Sequence, residues 1–366
     1  MNLIHQIALT MIPGVGPRLA RHLLAHFGST EEIFRASIRE LSKASGIGPI
    51  LAKIIYDKAY MQRAERECSF VEKHNIQTIW LTDSAYPQRL EACDDGPPLL
   101  YFKGDTNFND QHIVSVVGTR NSTAYGKKLC EDLIAGIKEI NPIVVSGLAY
   151  GIDVIAHRAA LQNHIPTIGV VAHGLDRIYP PMHRDIAEQM LHTGGLLTEF
   201  PSGTKPDRMN FPMRNRIIAG LADITIVVEA GIKGGALITA EMANGYHRDV
   251  GAFPGSVNQP YSEGCNYLIK TNRAHLIRNA DDLLYLMNWQ KQQSKASAPQ
   301  LSLLPPDLNP DEEKVFHYLR QVEQASVDQI AINLDWPQSK LAMILLEMEM
   351  NNVVISLPGK IYKTVS

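Results

Sequence analysis

The sequence predicts an α/β protein: a doubly wound, mostly parallel sheet with a small helical module before it and a winged-helix module after it. Three observations carry that reading. Short β-rich apolar runs alternate with helical stretches from about residue 76 to 288. Two Gly-apolar-Gly pieces each stand just before a helix within residues 1–75. Beyond a polar segment, three helical stretches and two strand-like runs close the chain.

The chain has 366 residues, 45% of them hydrophobic, more than a single core usually serves, so two or three domains are expected. In residues 1–75, Leu19, Leu23, Leu24 and Phe27 recur at helical spacing, as do Leu51, Ile54 and Ile55. The two similar pieces are Ile12-Pro-Gly-Val-Gly-Pro-Arg-Leu-Ala and Ser45-Gly-Ile-Gly-Pro-Ile-Leu-Ala. A paired hairpin of this kind predicts a helix-hairpin-helix (SAM-like) module, which grips phosphates through main-chain N–H groups without reading sequence. Helix turns also need glycines, and few lysines accompany these two, so a structural role stays open.

Residues 76–288 carry apolar runs at Ile113–Val117, Ile143–Val145, Thr167–Ala172, Leu196–Leu197, Ile224–Val228 and Val250–Phe253. Helical stretches such as Lys127–Ile140, Ile152–Gln162 and Ala236–Tyr246 separate most of them. Continuous apolar strands between helices indicate a parallel sheet covered on both faces. The runs Thr78–Leu81 and Leu99–Phe102 are expected at the sheet's edge or at the junction. Residues 289–308, rich in Gln, Ser, Lys and Pro, read as a linker. Residues 309–366 read as helices Asp311–Gln324, Val327–Leu334 and Ser339–Met350, then strands Val353–Ser356 and Lys360–Thr364 around Pro358-Gly359, a winged-helix pattern. Its third helix carries Glu347 and Glu349, with only Lys340 basic near its start. That face predicts a protein-contact or structural role rather than duplex reading.

Lys and Arg total 35 against 38 for Asp and Glu, a formal charge of −3. A uniformly basic nucleic-acid wrapper is excluded, so any such site must be a local basic cleft. Cys68, Cys93, Cys130 and Cys265 are scattered without metal-ligand spacing. With no secretory signal and no apolar stretch of membrane length, the chain is expected in the cytoplasm, away from membranes.

In a doubly wound sheet, ligands bind beyond the carboxyl ends of the strands. Glycine-rich polar segments follow the strands here: Gly118 to Gly126, Ser146 to Asp153, His173 to Asp176, Glu199 to Arg216, Glu229 to Gly235 and Pro254-Gly255. Glycines let backbone N–H groups approach an anion, and Arg120, Lys205, Arg208, Arg214, Arg216 and Lys233 would add positive charge. A phosphate-bearing ligand is expected. Seven residues separate Gly118 from Gly126, without a Walker Gly-Lys-Ser/Thr, and no dinucleotide fingerprint follows a strand. In Phe211-Pro-Met-Arg-Asn-Arg216, an aromatic among basic residues could stack a base, or Phe211 could pack inward while the arginines pair with Glu199 or Glu229.

Several of these segments resemble, in order, the motifs of the DprA/Smf (DNA-processing protein A) family. They are Val114-Ser-Val-Val-Gly-Thr-Arg120 with Thr123-Ala-Tyr-Gly126, Val145-Ser-Gly-Leu-Ala-Tyr-Gly-Ile-Asp153 with Ala156-His157, and Gly174-Leu-Asp-Arg-Ile-Tyr-Pro180. Phe211 to Leu221, Val228-Glu-Ala230, Leu237-Ile-Thr-Ala240 and Phe253-Pro-Gly255 continue the set, with Tyr86-Pro87 and Pro97-Pro-Leu-Leu-Tyr101 upstream. The resemblance covers about residues 75–285 and implies a Rossmann-like domain that binds single-stranded DNA. It also implies loading of a RecA-type recombinase for homologous recombination of DNA taken up in natural transformation, and a homodimer through the central domain. DNA contacts would fall on Gly118, Thr119, Arg120, Ser146, Gly147, Arg208 and Phe211, then Arg214 and Asn215, with Lys205 adding charge. Lys233-Gly234-Gly235-Ala236 stands where the family usually has a Ser-Gly-Ser-type turn, which would shift phosphate contacts toward Lys233 and Gly234. Asn272-Arg273-Ala274 departs from a more usual Gly-Ala.

A competing class is an enzyme. His157, His173, His183, Asp153, Asp176, Glu199 and Glu229 could supply acid–base pairs, and Glu229 with Glu241 is similar to nucleotide hydrolases of the lonely-guy type. Spacing assembles no catalytic triad and no metal cluster, so a binder without cofactor is expected. A third class, a regulatory winged-helix protein with a nucleotide-sensing central domain, predicts duplex binding that a small ligand changes.

Overall fold

The computed structural model describes residues 2–289, 308–322, 324–351, 353–357 and 361–364. Most of the expected linker and the Pro358-Gly359 turn lie outside the described residues. The chain divides into two compact units, Met1–Ser294 and Lys295–Ser366.

The first unit opens with six helices: α1 (Asn2–Met11), α2 (Pro17–Phe27), α3 (Thr30–Arg35), α4 (Ile38–Leu41), α5 (Pro49–Tyr56) and α6 (Met61–Lys73). The two Gly-apolar-Gly pieces have the same geometry. Gly14 and Gly46 sit at φ +91° and +85°, where a side chain would be strained. Val15 and Ile47 turn into the core. Gly16 and Gly48 then cap α2 and α5, each with proline at the first helical position. The helical core of Ile7, Leu9, Leu23, Ile33, Leu41 and Ile55 continues onto Trp80, Leu99 and Tyr101.

Those last residues belong to β1 (Gln77–Trp80) and β2 (Leu99–Gly104), which flank α7 (Gln88–Glu91). Then follow β3 (Ile113–Val117), α8 (Ala124–Gly136), β4 (Ile143–Ser146), α9 (Ile152–Gln162), β5 (Thr167–Val170), α10 (Arg184–Met190), β6 (Gly195–Thr198) and α11 (Asn210–Leu221). The unit closes with β7 (Ile224–Val227), α12 (Gly235–Gly245), β8 (Asp249–Ala252), α13 (Glu263–Lys270), β9 (His275–Leu276) and α14 (Ala280–Leu286). Among the described residues these strands form one nine-stranded sheet in the order β1-β2-β6-β5-β4-β3-β7-β8-β9. From β6 to β9 neighbours run parallel, and β1 and β2 are antiparallel at one edge.

Both faces of the sheet are covered. Ile113, Ile143, Val145 and Val227 join one apolar cluster, whereas Val114, Val144, Ile224 and Ile226 join the opposite one. Neighbouring residues thus bury on alternate sides, which explains the continuous apolar runs. Each such side chain contributes about 1.5–3 kcal/mol on burial. The chain steps outward from β3 to β6, returns to place β7 beside β3, and steps outward again. The resulting switch point lies between β3 and β7, where a buried Ser115 hydroxyl donates to Thr225 Oγ1 at 2.8 Å.

Three expectations are corrected. The stretch Glu199 to Arg216, expected as one long loop, is helical from Asn210, because Pro212 is tolerated in a first turn and Ile217, Ile218 and Leu221 bury one face. The second unit has α15 (Pro310–Val322), β10 (Gln324–Ser326), α16 (Val327–Leu334), α17 (Gln338–Met350), β11 (Val354–Leu357) and β12 (Ile361–Thr364). Gln324 therefore starts a strand rather than ending a helix, and β10 pairs with β12 to make a three-stranded sheet instead of a two-stranded hairpin. Only Ala325 of β10 is buried, too short a pattern to stand out as a strand. Among the described residues no helix is long and apolar enough to cross a membrane.

Candidate nucleic-acid interface

At the carboxyl ends of the parallel strands, loops following β3, β4, β5, β6, β7 and β8 surround one cavity of about 860 Å³. Gly118, Thr119 and Arg120 enter it directly after β3. Thr119 N–H donates to the Glu229 carbonyl at 2.7 Å, tying the β3 and β7 ends together across the switch point. Arg208, Phe211, Arg214 and Asn215 line the wall supplied by α11 and the loop before it, and Lys233 and Gly234 line the wall before α12. Gly234 is the N-cap of α12, so that helix begins at the cavity with free N–H groups.

Arg214 is a strut as well as a charge. It is 4% exposed, and its Nη1 donates to the carbonyls of Gly147 at 2.6 Å and Val170 at 2.5 Å, at the ends of β4 and β5. Burial brings its pKa down to about 10, opposed by the neighbouring Asp153 carboxylate. Burial also raises the Asp153 pKa, and Arg214 opposes that shift. Gly147 is squeezed between them: a Cβ there would lie 2.2 Å from Arg214 Nη1 and 2.6 Å from Asp153 Oδ2.

Phe211 is partly buried at the cavity wall, with the Arg120 guanidinium 5.4 Å and that of Arg214 5.8 Å from its ring centroid. Both distances suit cation–π attraction. The Tyr179 ring lies 6.3 Å away. Among the described residues no carboxylate forms an ion pair with Arg120, Arg208 or Lys233. Those three are exposed, so the cavity presents uncompensated positive charge beside an aromatic ring. Such an arrangement can hold phosphates and stack a base.

Three expected site residues stand outside this lining. Ser146 is fully buried and donates its hydroxyl to the Val116 carbonyl at 2.6 Å. Gly147 lies behind Arg214, and Lys205 is exposed on the loop between β6 and α11. Arg216, expected to add charge, is buried and pairs with Glu199 and the Asp95 carbonyl. Residues two apart on a helix point in nearly opposite directions, so Arg214 and Arg216 do not both face the cavity. Tyr179 and Tyr261 line the cavity without having been singled out. Tyr179 belongs to the Gly174-Leu-Asp-Arg-Ile-Tyr-Pro180 motif, whereas Tyr261 arrives through a loop with no local signal.

Of the acid–base candidates, Asp153 lines the cavity but is buried beside Arg214, and the others are engaged elsewhere. Glu229 accepts from Thr123 N–H at 2.9 Å and from Thr123 Oγ1 at 2.6 Å, bracing the start of α8. Asp176 pairs with Arg177 and accepts from Gly203 N–H, and Glu241 pairs with Arg273. His157, His173 and His183 are buried, their Nδ1 atoms at 2.7 Å from Thr167 Oγ1, 2.9 Å from the Gly174 carbonyl and 2.9 Å from the Leu148 carbonyl. Burial, with His183 and Arg214 nearby, brings the His157 pKa down to about 3, so it stays neutral. Among the described residues no three His, Cys, Asp or Glu side chains are grouped to hold a metal ion.

The loop that carries Lys205 and Arg208 is anchored from the helical module. Glu67 on α6 is buried and accepts from Ser202 N–H at 2.8 Å and Ser202 Oγ at 2.6 Å. Arg63 donates to Glu67 at 2.9 Å and to the Ser202 carbonyl. Neither residue was singled out, because this role depends on a contact across more than 130 positions.

The fold and cavity define an α/β protein with an arginine- and lysine-lined crevice at a topological switch point, preceded by a helix-hairpin-helix domain and followed by a winged helix. Residues 77–288 match the family described as DNA recombination-mediator protein A, residues 7–59 a SAM-like helix-hairpin-helix tandem, and residues 296–360 a DprA winged helix domain. The chain belongs to the DNA recombination-mediator protein A family. It is 33% identical to Protein Smf of Synechocystis sp. over 393 residues, 98% of this chain and 97% of that protein. It is similar to the X-ray structure of DNA processing protein A from Streptococcus pneumoniae, with TM-score 0.68 and 31% identity over 77% of this chain and 96% of that one. A second similar structure is DNA processing protein A from Helicobacter pylori, described for its single-stranded DNA binding mode, with TM-score 0.53 and 28% identity over 58% of this chain and 95% of that one.

Proposed function

We propose that the chain binds single-stranded DNA in the cavity between β3 and β7 and acts as a binder rather than a catalyst. The observation that carries this reading is Phe211 standing among Arg120, Arg208 and Lys233, cations with no carboxylate partner among the described residues. The relative from Helicobacter pylori described as binding single-stranded DNA supports it. In this reading Gly118, Thr119, Asn215 and Gly234 meet the strand through the cavity lining, and Lys205 meets it beyond the cavity. Arg214 supplies charge from below, while Ser146 and Gly147 support the loop. The bound strand is then handed to a RecA-type recombinase, in recombination of imported DNA. A homodimer would extend the track across two cavities and offset the net charge of −3. Residues 1–75, 76–288 and 309–366 act as three modules, with 289–308 as linker. The carboxylates a nucleotide hydrolase would use are engaged by Thr123, Arg216 and Arg273, which supports binding over cleavage.

The test is fluorescence anisotropy of labelled oligo-dT against the matching duplex across a salt series. Wild type is expected to prefer the single strand. Arg120→Ala and Arg208→Ala are each expected to weaken binding and to shallow the log–log salt slope by roughly 0.7. Phe211→Ala is expected to cost about 1–3 kcal/mol with little change in slope, because stacking exchanges no ions. Equal affinity for duplex, or unchanged binding in all three variants, overturns the reading.

A further inference from the structure

A second cavity, of about 670 Å³, lies beside the first and shares the wall formed by Tyr261. Its size falls in the range of roughly 300–1,000 Å³ common to small-molecule sites. The two cavities differ in charge. The first is lined by Arg120, Arg208, Arg214 and Lys233, whereas no lysine or arginine lines the second. The one carboxylate there, Glu229, already accepts from Thr123. What remains is Tyr125 and Tyr261 as aromatic walls, with the neutral polar groups of Ser256 and Gln259.

The two tyrosines are held in place. Tyr125 is 50% exposed, yet its hydroxyl donates to the Pro254 carbonyl at 2.8 Å. The Tyr261 hydroxyl accepts from Asn121 Nδ2 at 3.2 Å, and Asn121 directly follows Arg120. A phosphate held by Arg120 therefore lies one residue away from the group that fixes the Tyr261 ring. Rings fixed before binding lose little freedom on stacking, which favours their use as a platform.

We propose that the second cavity is a base-receiving subsite. It takes a nucleobase of the same strand whose phosphates occupy the first cavity, against the rings of Tyr125 and Tyr261. Phosphate is disfavoured because no cation lines the space and the Glu229 carboxylate already occupies the start of α8 there, whereas a neutral planar base with hydrogen-bonding edges matches both the aromatic walls and the Ser256 and Gln259 groups. The proposal rests on the single-strand reading above.

The experiment is anisotropy with the full chain and labelled oligo-dT, comparing Tyr125→Ala, Tyr125→Phe, Tyr261→Ala and Arg120→Ala, each also against oligo-dT bearing a single abasic site at successive positions. Tyr125→Ala and Tyr261→Ala are expected to bind roughly five- to 150-fold more weakly with an unchanged salt slope. Tyr125→Phe, which keeps the ring but loses the bond to the Pro254 carbonyl, is expected to fall between wild type and Tyr125→Ala. In wild type one abasic position is expected to weaken binding, and Tyr125→Ala is expected to abolish that penalty. If Arg120→Ala weakens binding but both tyrosine-to-alanine variants match wild type, the subsite is refuted and the first cavity stands. If those variants shallow the salt slope by as much as Arg120→Ala does, the space holds phosphate and the proposal fails. If wild type does not bind the single strand, the underlying reading fails first.

Discussion

Arg208, Arg214 and Arg216 are three arginines in nine residues, and their surroundings give them three different tasks. Arg208 is exposed at the cavity, Arg214 is buried beneath it, and Arg216 pairs with Glu199 on another side of the helix. Arg214 supports two carbonyls and faces Asp153, so removing it leaves buried acceptors without their donor. Arg214→Ala is therefore expected to lower stability by about 1–3 kcal/mol or more, whereas Arg120→Ala is expected to stay within about 0.5 kcal/mol of wild type. Denaturant unfolding monitored by circular dichroism separates the two: equal stability would mean that Arg214 is not a strut. Residue type marked all of these arginines as candidates. Only burial, which local sequence does not encode, sorted the exposed charge from the structural ones.

The loop between β6 and α11 brings an element of the helical module to bear on the site. Glu67 and Arg63 hold Ser202 from one side, and Asp176 holds Gly203 from the other. Glu67→Ala is expected to release this loop, expose it to limited proteolysis between residues 200 and 209, and weaken binding of oligo-dT. Arg208→Ala made in that background is expected to cost less than it does in wild type, because an unanchored Arg208 already contributes less. Fully additive effects would show that the anchor does not position Arg208. The helices and parallel strands themselves were legible, since 3.6-residue and continuous apolar patterns both survive in the sequence. The two-residue β9 and the three-residue β10 were not, because strands that short carry too few buried positions to make a pattern.

At the scale of the whole molecule, the twelve candidate contact residues all lie within Met1–Ser294, one of the two compact units. A chain ending at Ser294 is expected to fold and to bind oligo-dT with wild-type affinity, checked by unfolding and by anisotropy. A large loss would place part of the binding energy in the second unit. Removing residues 1–75 as well is expected to behave differently. Trp80, Leu99 and Tyr101 bury against the helical module, and uncovering them presents an apolar face on an antiparallel edge. Aggregation in size-exclusion chromatography is the expected readout; a monodisperse, binding-competent fragment would show the helical module to be dispensable for the sheet.

Periodicity and turn chemistry were enough to read the α/β class, the two glycine hairpins and the glycine-rich loops after the strands, because each depends on neighbours within one helix turn or one strand. The ordered motifs pointed to the family for the same reason: they are contiguous. The cavity itself needed the strand order. Placing β7 beside β3 brings residue 119 to residue 229, sets Arg120 against Phe211 and carries Tyr261 in from a distant loop. The Glu67 anchor and the separation of Arg214 from Arg216 belong to that level too. Their partners are far apart in the chain, and only packing determines which side chain meets water and which meets a buried carbonyl.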